Sequence, residues 1–218
     1  MLVLLPPSEG KTTPRRGRPV DLAALAHPEL TAARQAVLRA LPDGDALLRA
    51  PAARASAVYS GVLYQYLGLP ELPLRARRRV LIFSALWGVL APDDRIPAYK
   101  LPIDAKLPRI GGLAAHWRGP LRETLPDGGL VVDLRSGGYA AAWRPRRGAV
   151  LGVRAFVERG GERIPVSHMV KATRGAVARI ALCASPPPRT PSAVAALVAA
   201  SGREVELRPG TLDVIERG

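Results

Sequence analysis

The strongest constraint on this chain is the recurrence of short apolar runs that stop abruptly at polar or turn-forming residues. Strand-like runs occupy residues 2–5, 80–84, 130–134, 150–157 and 164–166, with a later one at 204–207. Between them, apolar residues at helical spacing predict helices over 22–41, 113–125, 172–184 and 192–200. Strands alternating with helices predict an α/β (mixed α+β) fold around one sheet flanked by helices. The two glycines in Arg159-Gly160-Gly161-Glu162 predict a hairpin, so the sheet is expected to be mixed and partly antiparallel. A chain of 218 residues suits one domain. Pro186-Pro187-Pro188 sets residues 189–218 apart as a C-terminal helix-strand extension of that domain.

The same runs exclude other classes. None approaches the roughly 20 apolar residues needed to cross a bilayer. Met1 to Leu5 halts at Pro6-Pro7 with no basic residue before it, which reads as a buried strand and not an export signal. A single cysteine, Cys183, cannot form an internal disulfide and points to a reducing cytoplasm. Its apolar neighbours predict an inert core thiol. The three histidines show no ligand spacing, so no metal site and no cofactor are expected.

Charge supplies the first functional pointer. Thirty-two basic residues oppose 18 acidic ones, a formal net charge of +14, and only Lys11, Lys100, Lys106 and Lys171 among the basic residues are lysine. Heavy arginine and alanine usage looks like the coding bias of a GC-rich genome, so the identity of each arginine carries little weight. The net field still attracts nucleic acid or phosphorylated ligands. Basic clusters at 15–18, 75–79 and 144–147 read either as solvated loops or, if they share a face, as a salt-sensitive phosphate-binding surface.

Chemistry gathers where apolar runs end. The first run leads into Ser8-Glu9-Gly10-Lys11-Thr12, but this is no P-loop: the required first glycine is Leu5, and Pro6 and Pro7 lack backbone donors. What remains is Ser-x-x-Lys at the carboxyl end of a strand, the edge where open α/β sheets hold ligands. The segments Leu134-Arg135-Ser136-Gly137-Gly138-Tyr139 and Ser84-Ala85-Leu86-Trp87, with the loop reaching Tyr99-Lys100, repeat the arrangement. Lys171 and Arg174 are expected at the start of the helix over 172–184, with His168 ending the preceding strand. Cations are mildly unfavourable at that positive helix end, which a bound anion would reverse.

Taken in order, several segments resemble the YaaA peroxide-stress family over residues 2 to about 182. They are Ser8-x-x-Lys11, Val58-Tyr59-Ser60-Gly61, Leu86-Trp87-Gly88-Val89-Leu90-x-Pro92-x-Asp94 with Tyr99-Lys100-Leu101, Trp117, Leu134-x-Ser136-x-x-Tyr139 and Lys171-x-x-Arg174-Gly175. The resemblance implies a cytoplasmic bacterial protein of mixed α/β fold. Such a protein limits peroxide damage from unincorporated iron and binds DNA in a positively charged cleft. The family's usual Ser-Pro-Ala-Lys is Ser8-Glu9-Gly10-Lys11 here. Ala91, Lys100 and Gly138 stand where the family has arginine, arginine and glutamate, and the last change removes a candidate general base. Longer members resemble a helix-hairpin-helix module in a stretch that is here reduced to about residues 41–57 and interrupted by Pro51.

The candidate anion-binding set is therefore Ser8, Lys11, Tyr59, Tyr99, Lys100, Arg135, Ser136, Tyr139, Lys171 and Arg174. Two functions compete for it, beside a scaffold that binds no ligand. One is binding of DNA or another phosphate-bearing ligand in a basic cleft. The other is an enzyme acting on a nucleotide or similar small anion in the same place.

Overall fold

The computed structural model describes residues 1–159, 162–164 and 167–217. Its strands in chain order are β1 (Leu2–Leu5), β2 (Ala53–Arg54), β3 (Val80–Ser84), β4 (Gly88–Leu90), β5 (Arg95–Ile96) and β6 (Lys106–Leu107). They continue with β7 (Gly111–Gly112), β8 (Leu130–Asp133), β9 (Ala149–Arg159), β10 (Glu162–Ile164), β11 (Glu204–Arg208) and β12 (Thr211–Arg217). Eight of them form one mixed sheet in the order β11-β12-β9-β8-β1-β3-β4, with β10 also on β9. Neighbours from β12 through β3 run parallel, while β4, β10 and β11 pair antiparallel. The α/β architecture with a partly antiparallel sheet is as the apolar pattern predicts, and no helix among the described residues is long and apolar enough to cross a membrane.

The helices are α1 (Thr31–Ala40), α2 (Gly44–Arg49), α3 (Ala55–Val58), α4 (Val62–Leu67), α5 (Leu74–Arg77), α6 (Leu113–Thr124), α7 (Gly137–Ala142), α8 (Ser167–Cys183) and α9 (Pro191–Ala200). They pack in two groups: α8 against α4, α5, α9 and β9, and α6 against α1, α7 and β4. Helical cover explains why β3 is buried throughout and why β1 and β8 expose only an end residue in part, since parallel strands covered on both faces read as continuous apolar runs.

Departures from the sequence expectations have physical causes. The helix expected over 22–41 is an α-helix only from Thr31, because Pro28 starts a 3₁₀ turn and His27 before it takes φ 58°. Helix α8 begins at Ser167, so His168 lies within its first turn and does not end a strand. Register joins Glu162 to Arg159 as a hairpin requires, while the turn glycines 160–161 and the expected strand residues 165–166 lie outside the described residues. The C-terminal segment holds two strands, of which β12 was hidden by its inward acid, Asp213. That carboxylate is 2% exposed and is neutralised by bonds from Arg154 Nε and Nη2, both 2.7 Å, and by Arg208 at 3.2 Å. Cys183 is exposed and not an inert core thiol, because it falls one position past the buried α8 stripe of Val177, Ala178, Ala181 and Leu182.

Gly175 marks where α8 crosses α4 at backbone contact. A Cβ there would sit 2.3 Å from the Leu63 carbonyl oxygen and 2.9 Å from Tyr66 Cβ. Gly175→Ala should therefore cost roughly 1–3 kcal/mol through overpacking, although alanine favours a helix. A urea titration that showed the variant more stable than the parent would contradict this packing.

Candidate functional site

Strands β1, β3 and β8 lie side by side and parallel, so their carboxyl ends, Leu5, Ser84 and Asp133, open on one edge of the sheet. Three loops meet there. The loop after β1 is folded on itself: Ser8 Oγ donates to the Gly10 carbonyl and accepts the Ser60 N–H at 3.2 Å. Lys11 bridges to Tyr59 as an isolated β-pair, and its ammonium donates to the Ser8 carbonyl at 2.8 Å.

Beneath that ammonium runs a chain of buried hydroxyls. Tyr59 Oη and Tyr99 Oη are 2.8 Å apart, and Tyr99 Oη is 2.7 Å from Ser84 Oγ. Ser84 Oγ in turn accepts the Trp87 N–H at 2.9 Å and the Leu86 N–H at 3.2 Å, so the chain is anchored on backbone at the end of β3. Lys11 Nζ stands 4.6 Å from the Tyr99 ring centroid and 5.7 Å from that of Tyr59, within cation–π range. Tyr64 stacks on Tyr59 at 5.4 Å and donates to the Pro6 carbonyl at 2.6 Å.

Burial tunes these groups in opposite directions. Desolvation lowers the Lys11 pKa, with Glu9 opposing. The phenols move up: Tyr59 and Tyr64 well above the usual tyrosine range, Tyr99 to about 12, and Tyr139 likewise upward, desolvation dominating each. At neutral pH the tyrosines are therefore neutral hydrogen-bonding groups. Lys11 is the member of this cluster whose pKa moves toward neutrality.

Lys171 approaches this loop from α8, its Nζ 3.9 Å from Glu9 Oε1. Glu9 is almost fully exposed, so the pair is weak and leaves the lysine available. Because α8 starts at Ser167, Lys171 and Arg174 sit beyond the helix's free N–H groups, and the expected helix-end attraction for an anion does not apply to them. Lys100 and Ser136 are exposed, beside Tyr99 and at the start of α7, without a side-chain partner among the described residues.

Two expected anion contacts are placed inside the protein. The Arg135 side chain is fully buried and forks onto its neighbour Asp133, Nε to Oδ1 at 2.8 Å and Nη2 to Oδ2 at 2.7 Å. It also donates to the Tyr139 and Trp143 carbonyls, at 3.3 and 2.9 Å, and lies 4.0 Å from the Phe83 ring centroid. Its donors are spent holding α7 against the sheet, and α7 carries Tyr139. Arg174 donates to the Val153 carbonyl at 2.9 Å and faces Asp133, while desolvation lowers its pKa. Both arginines thus brace the strand ends from below.

Sequence reasoning placed Ser84 in a strand-end segment but not among the candidate residues, and it did not single out Tyr64. A serine closing a fully apolar strand was the available signal for Ser84, since a buried hydroxyl there must find partners. The remaining ordered segments are structural. Gly88, at φ 72°, lets the Trp117 ring come within 2.6 Å of where a Cβ would stand. Asp94 Oδ1 and Oδ2 accept the Ala26 and Ala91 N–H groups, both at 2.9 Å, pinning the loop between β4 and β5.

Residues 23–190 match the family model described as "Peroxide stress protein YaaA". The chain belongs to the YaaA family. A UPF0246 protein of Streptomyces coelicolor is 41% identical over 256 aligned residues, covering 99% of this chain and 98% of its own. UPF0246 proteins of Corynebacterium glutamicum and Corynebacterium efficiens are 36% and 34% identical, over 96% and 99% of this chain. The alignment to the Streptomyces relative is longer than the 218 residues here, so that YaaA-family relative carries residues this chain lacks. Residues 41–57 hold the six-residue α2, the two-residue β2 and most of the four-residue α3, too little for two full helices and a hairpin.

Proposed function

We propose that this protein serves the peroxide-stress response in the cytoplasm by binding DNA or another phosphate-bearing anion at the sheet edge, with Lys11 as the central contact. The observation that carries this reading is Lys11 itself. Its ammonium is part-buried over two tyrosine rings and uses one of its three protons on a protein carbonyl, and Lys171 pairs weakly with Glu9 of the same loop. Cations with unused donors in partly desolvated surroundings form the stronger, charge-assisted class of hydrogen bond. Lys171, Lys100, Ser8 and Ser136 are the further candidate contacts, and the exposed arginine clusters add a screened field for a longer polyanion.

Lys11→Ala should weaken binding of labelled DNA or of a nucleotide by about ten- to a hundredfold, the worth of one such bond. The pH dependence has a defined sign. Lys11 must be protonated to hold an anion, so affinity is full below its lowered pKa and falls as pH rises through it, earlier than an ordinary lysine would allow. Duplex binding through the surface field alone should drop steeply between about 50 and 200 mM salt and ignore sequence. A Lys11→Ala protein that bound both ligands like the parent across that range would refute the assignment.

One observation favours an enzyme acting on a nucleotide or similar small anion: a lysine of lowered pKa stands over the rings of two tyrosines whose buried hydroxyls are linked, and such perturbed groups gather at functional sites. Incubating the protein with nucleoside phosphates and following mass changes in the small molecules decides between the readings. Turnover lost in Lys11→Ala selects the enzyme; binding without turnover selects the binding protein.

A further inference from the structure

Helices α6 and α7 pack side by side, and between them opens a cavity of about 260 Å³. Its walls carry Arg118, Arg122, Arg144 and Arg146, and its floor is the alanine run of α7 with Trp143. None of these residues belongs to the sheet-edge site. The sequence places them simply: Arg118 and Arg122 are one turn apart on α6 and so share a face, while Arg144 and Arg146 lie in the segment leaving α7. The floor is fixed from inside. Trp143 is buried against Phe83, and its carbonyl accepts from Arg135.

The charge around this cavity is not balanced. Asp127 pairs with Arg146 at 3.2 Å and also accepts the Arg146 and Arg147 N–H groups. Arg118, Arg122 and Arg144 have no acidic partner among the described residues. Like charges one helical turn apart repel. The carbonyl ends of α6 and α7 favour a nearby cation each, which accounts for Arg122 and Arg144 but not for four arginines around one hollow. The alanines and Trp143 leave a mostly apolar hollow, and the four arginines around it are exposed, so their long side chains can turn over a ligand seated there.

We propose that this hollow is a binding site for a phosphate group, independent of the sheet-edge site. Guanidinium forks match phosphate oxygens in paired, parallel hydrogen bonds, which an ammonium cannot copy. The volume falls below the roughly 300–1,000 Å³ of pockets that enclose whole drug-sized ligands. It therefore suits a compact phosphate, either of a small free compound or of one link in a nucleic-acid backbone.

The test uses the full chain and inorganic pyrophosphate, read through the indole N–H signal of Trp143 in a ¹H–¹⁵N NMR titration, with Trp143→Phe identifying the signal. The parent should show a saturable shift. Arg118→Ala/Arg122→Ala should weaken it at least about tenfold, and the corresponding double lysine variant should recover only part, because charge returns without the fork. Lys11→Ala should keep the response, which separates this site from the sheet edge. Both arginines are exposed on a helix that tolerates alanine, and Arg144→Ala, outside any helix, repeats the test without touching α6. Displacement of pyrophosphate by a short single-stranded oligonucleotide would assign the phosphate to nucleic acid. Displacement by nucleoside diphosphates, without an effect of the oligonucleotide, would assign it to a free compound. An unchanged pyrophosphate response in Arg118→Ala/Arg122→Ala, or its loss in Lys11→Ala, would overturn the proposal.

Discussion

Arg135→Ala should lower the stability of this protein by about 3–5 kcal/mol, the usual consequence of removing one partner from a buried ion pair. The Arg135 side chain is wholly buried and that of Asp133 is 13% exposed, so the abandoned carboxylate would face the strand ends without its fork. The Tyr139 and Trp143 carbonyls would lose their donor at the same time. For a chain of this size, each kcal/mol corresponds to roughly 2–4 °C in melting temperature, so the midpoint should fall by roughly 6–20 °C. Urea unfolding gives the free energy directly. Replacing both partners by apolar residues, Arg135→Met with Asp133→Leu, should restore only the part due to the abandoned carboxylate, because the Tyr139 and Trp143 carbonyls and the Arg135 N–H still lack their partners. An Arg135→Ala protein that kept its midpoint yet lost anion binding would instead make Arg135 a ligand contact, and the structural role given to it here would be wrong.

Arg34→Met should be nearly as damaging, by about 2–5 kcal/mol, for a related but distinct reason. Arg34 on α1 is fully buried and forms no salt bridge among the described residues. It spreads its guanidinium over four backbone carbonyls: Ala26 at 2.8 Å, Val89 at 3.0 Å, Trp87 at 3.1 Å and His27 at 3.2 Å. Burial pulls its pKa down to about 10, which leaves it protonated at neutral pH. Methionine fills the space but supplies no donors, and each buried carbonyl left unsatisfied costs about 1–3 kcal/mol, reduced where water can enter. Arg34→Lys separates charge from geometry. It keeps the cation, yet one ammonium cannot serve four carbonyls spread over the turn before α1 and the β3–β4 hairpin, so most of the loss should remain. Recovery of parental stability by lysine in thermal melts would show that charge alone, acting on nearby Asp94, holds this region.

Much of the scaffold was legible because it depends on short-range pattern. The runs at 2–5 and 80–84 coincide with β1 and β3, since a strand buried on both faces needs nothing but apolar residues and a stop signal. Element ends were less legible. The start of α8 at Ser167, the exposure of Cys183 and the second C-terminal strand all depended on which side of an element meets the sheet, and local composition carries no record of that.

The candidate site divides along the same line. Ser8, Lys11, Tyr59 and Tyr99 could be chosen from sequence because each lies beside a strand end or in a segment of recognisable order, and they do meet around one hydroxyl chain. Sequence could not tell that Arg135 and Arg174 turn inward while Lys11 and Lys171 stay within reach of solvent. Arginine reads the same whether it faces water or a buried carboxylate. Thus the sequence by itself determined the alternation of strands and helices and the sheet edge on which polar residues collect, because both follow from periodicity and chain direction. Only the tertiary structure decided which cations remain free for a ligand, because that depends on whether the fold brings Asp133, a backbone carbonyl or open solvent to each one.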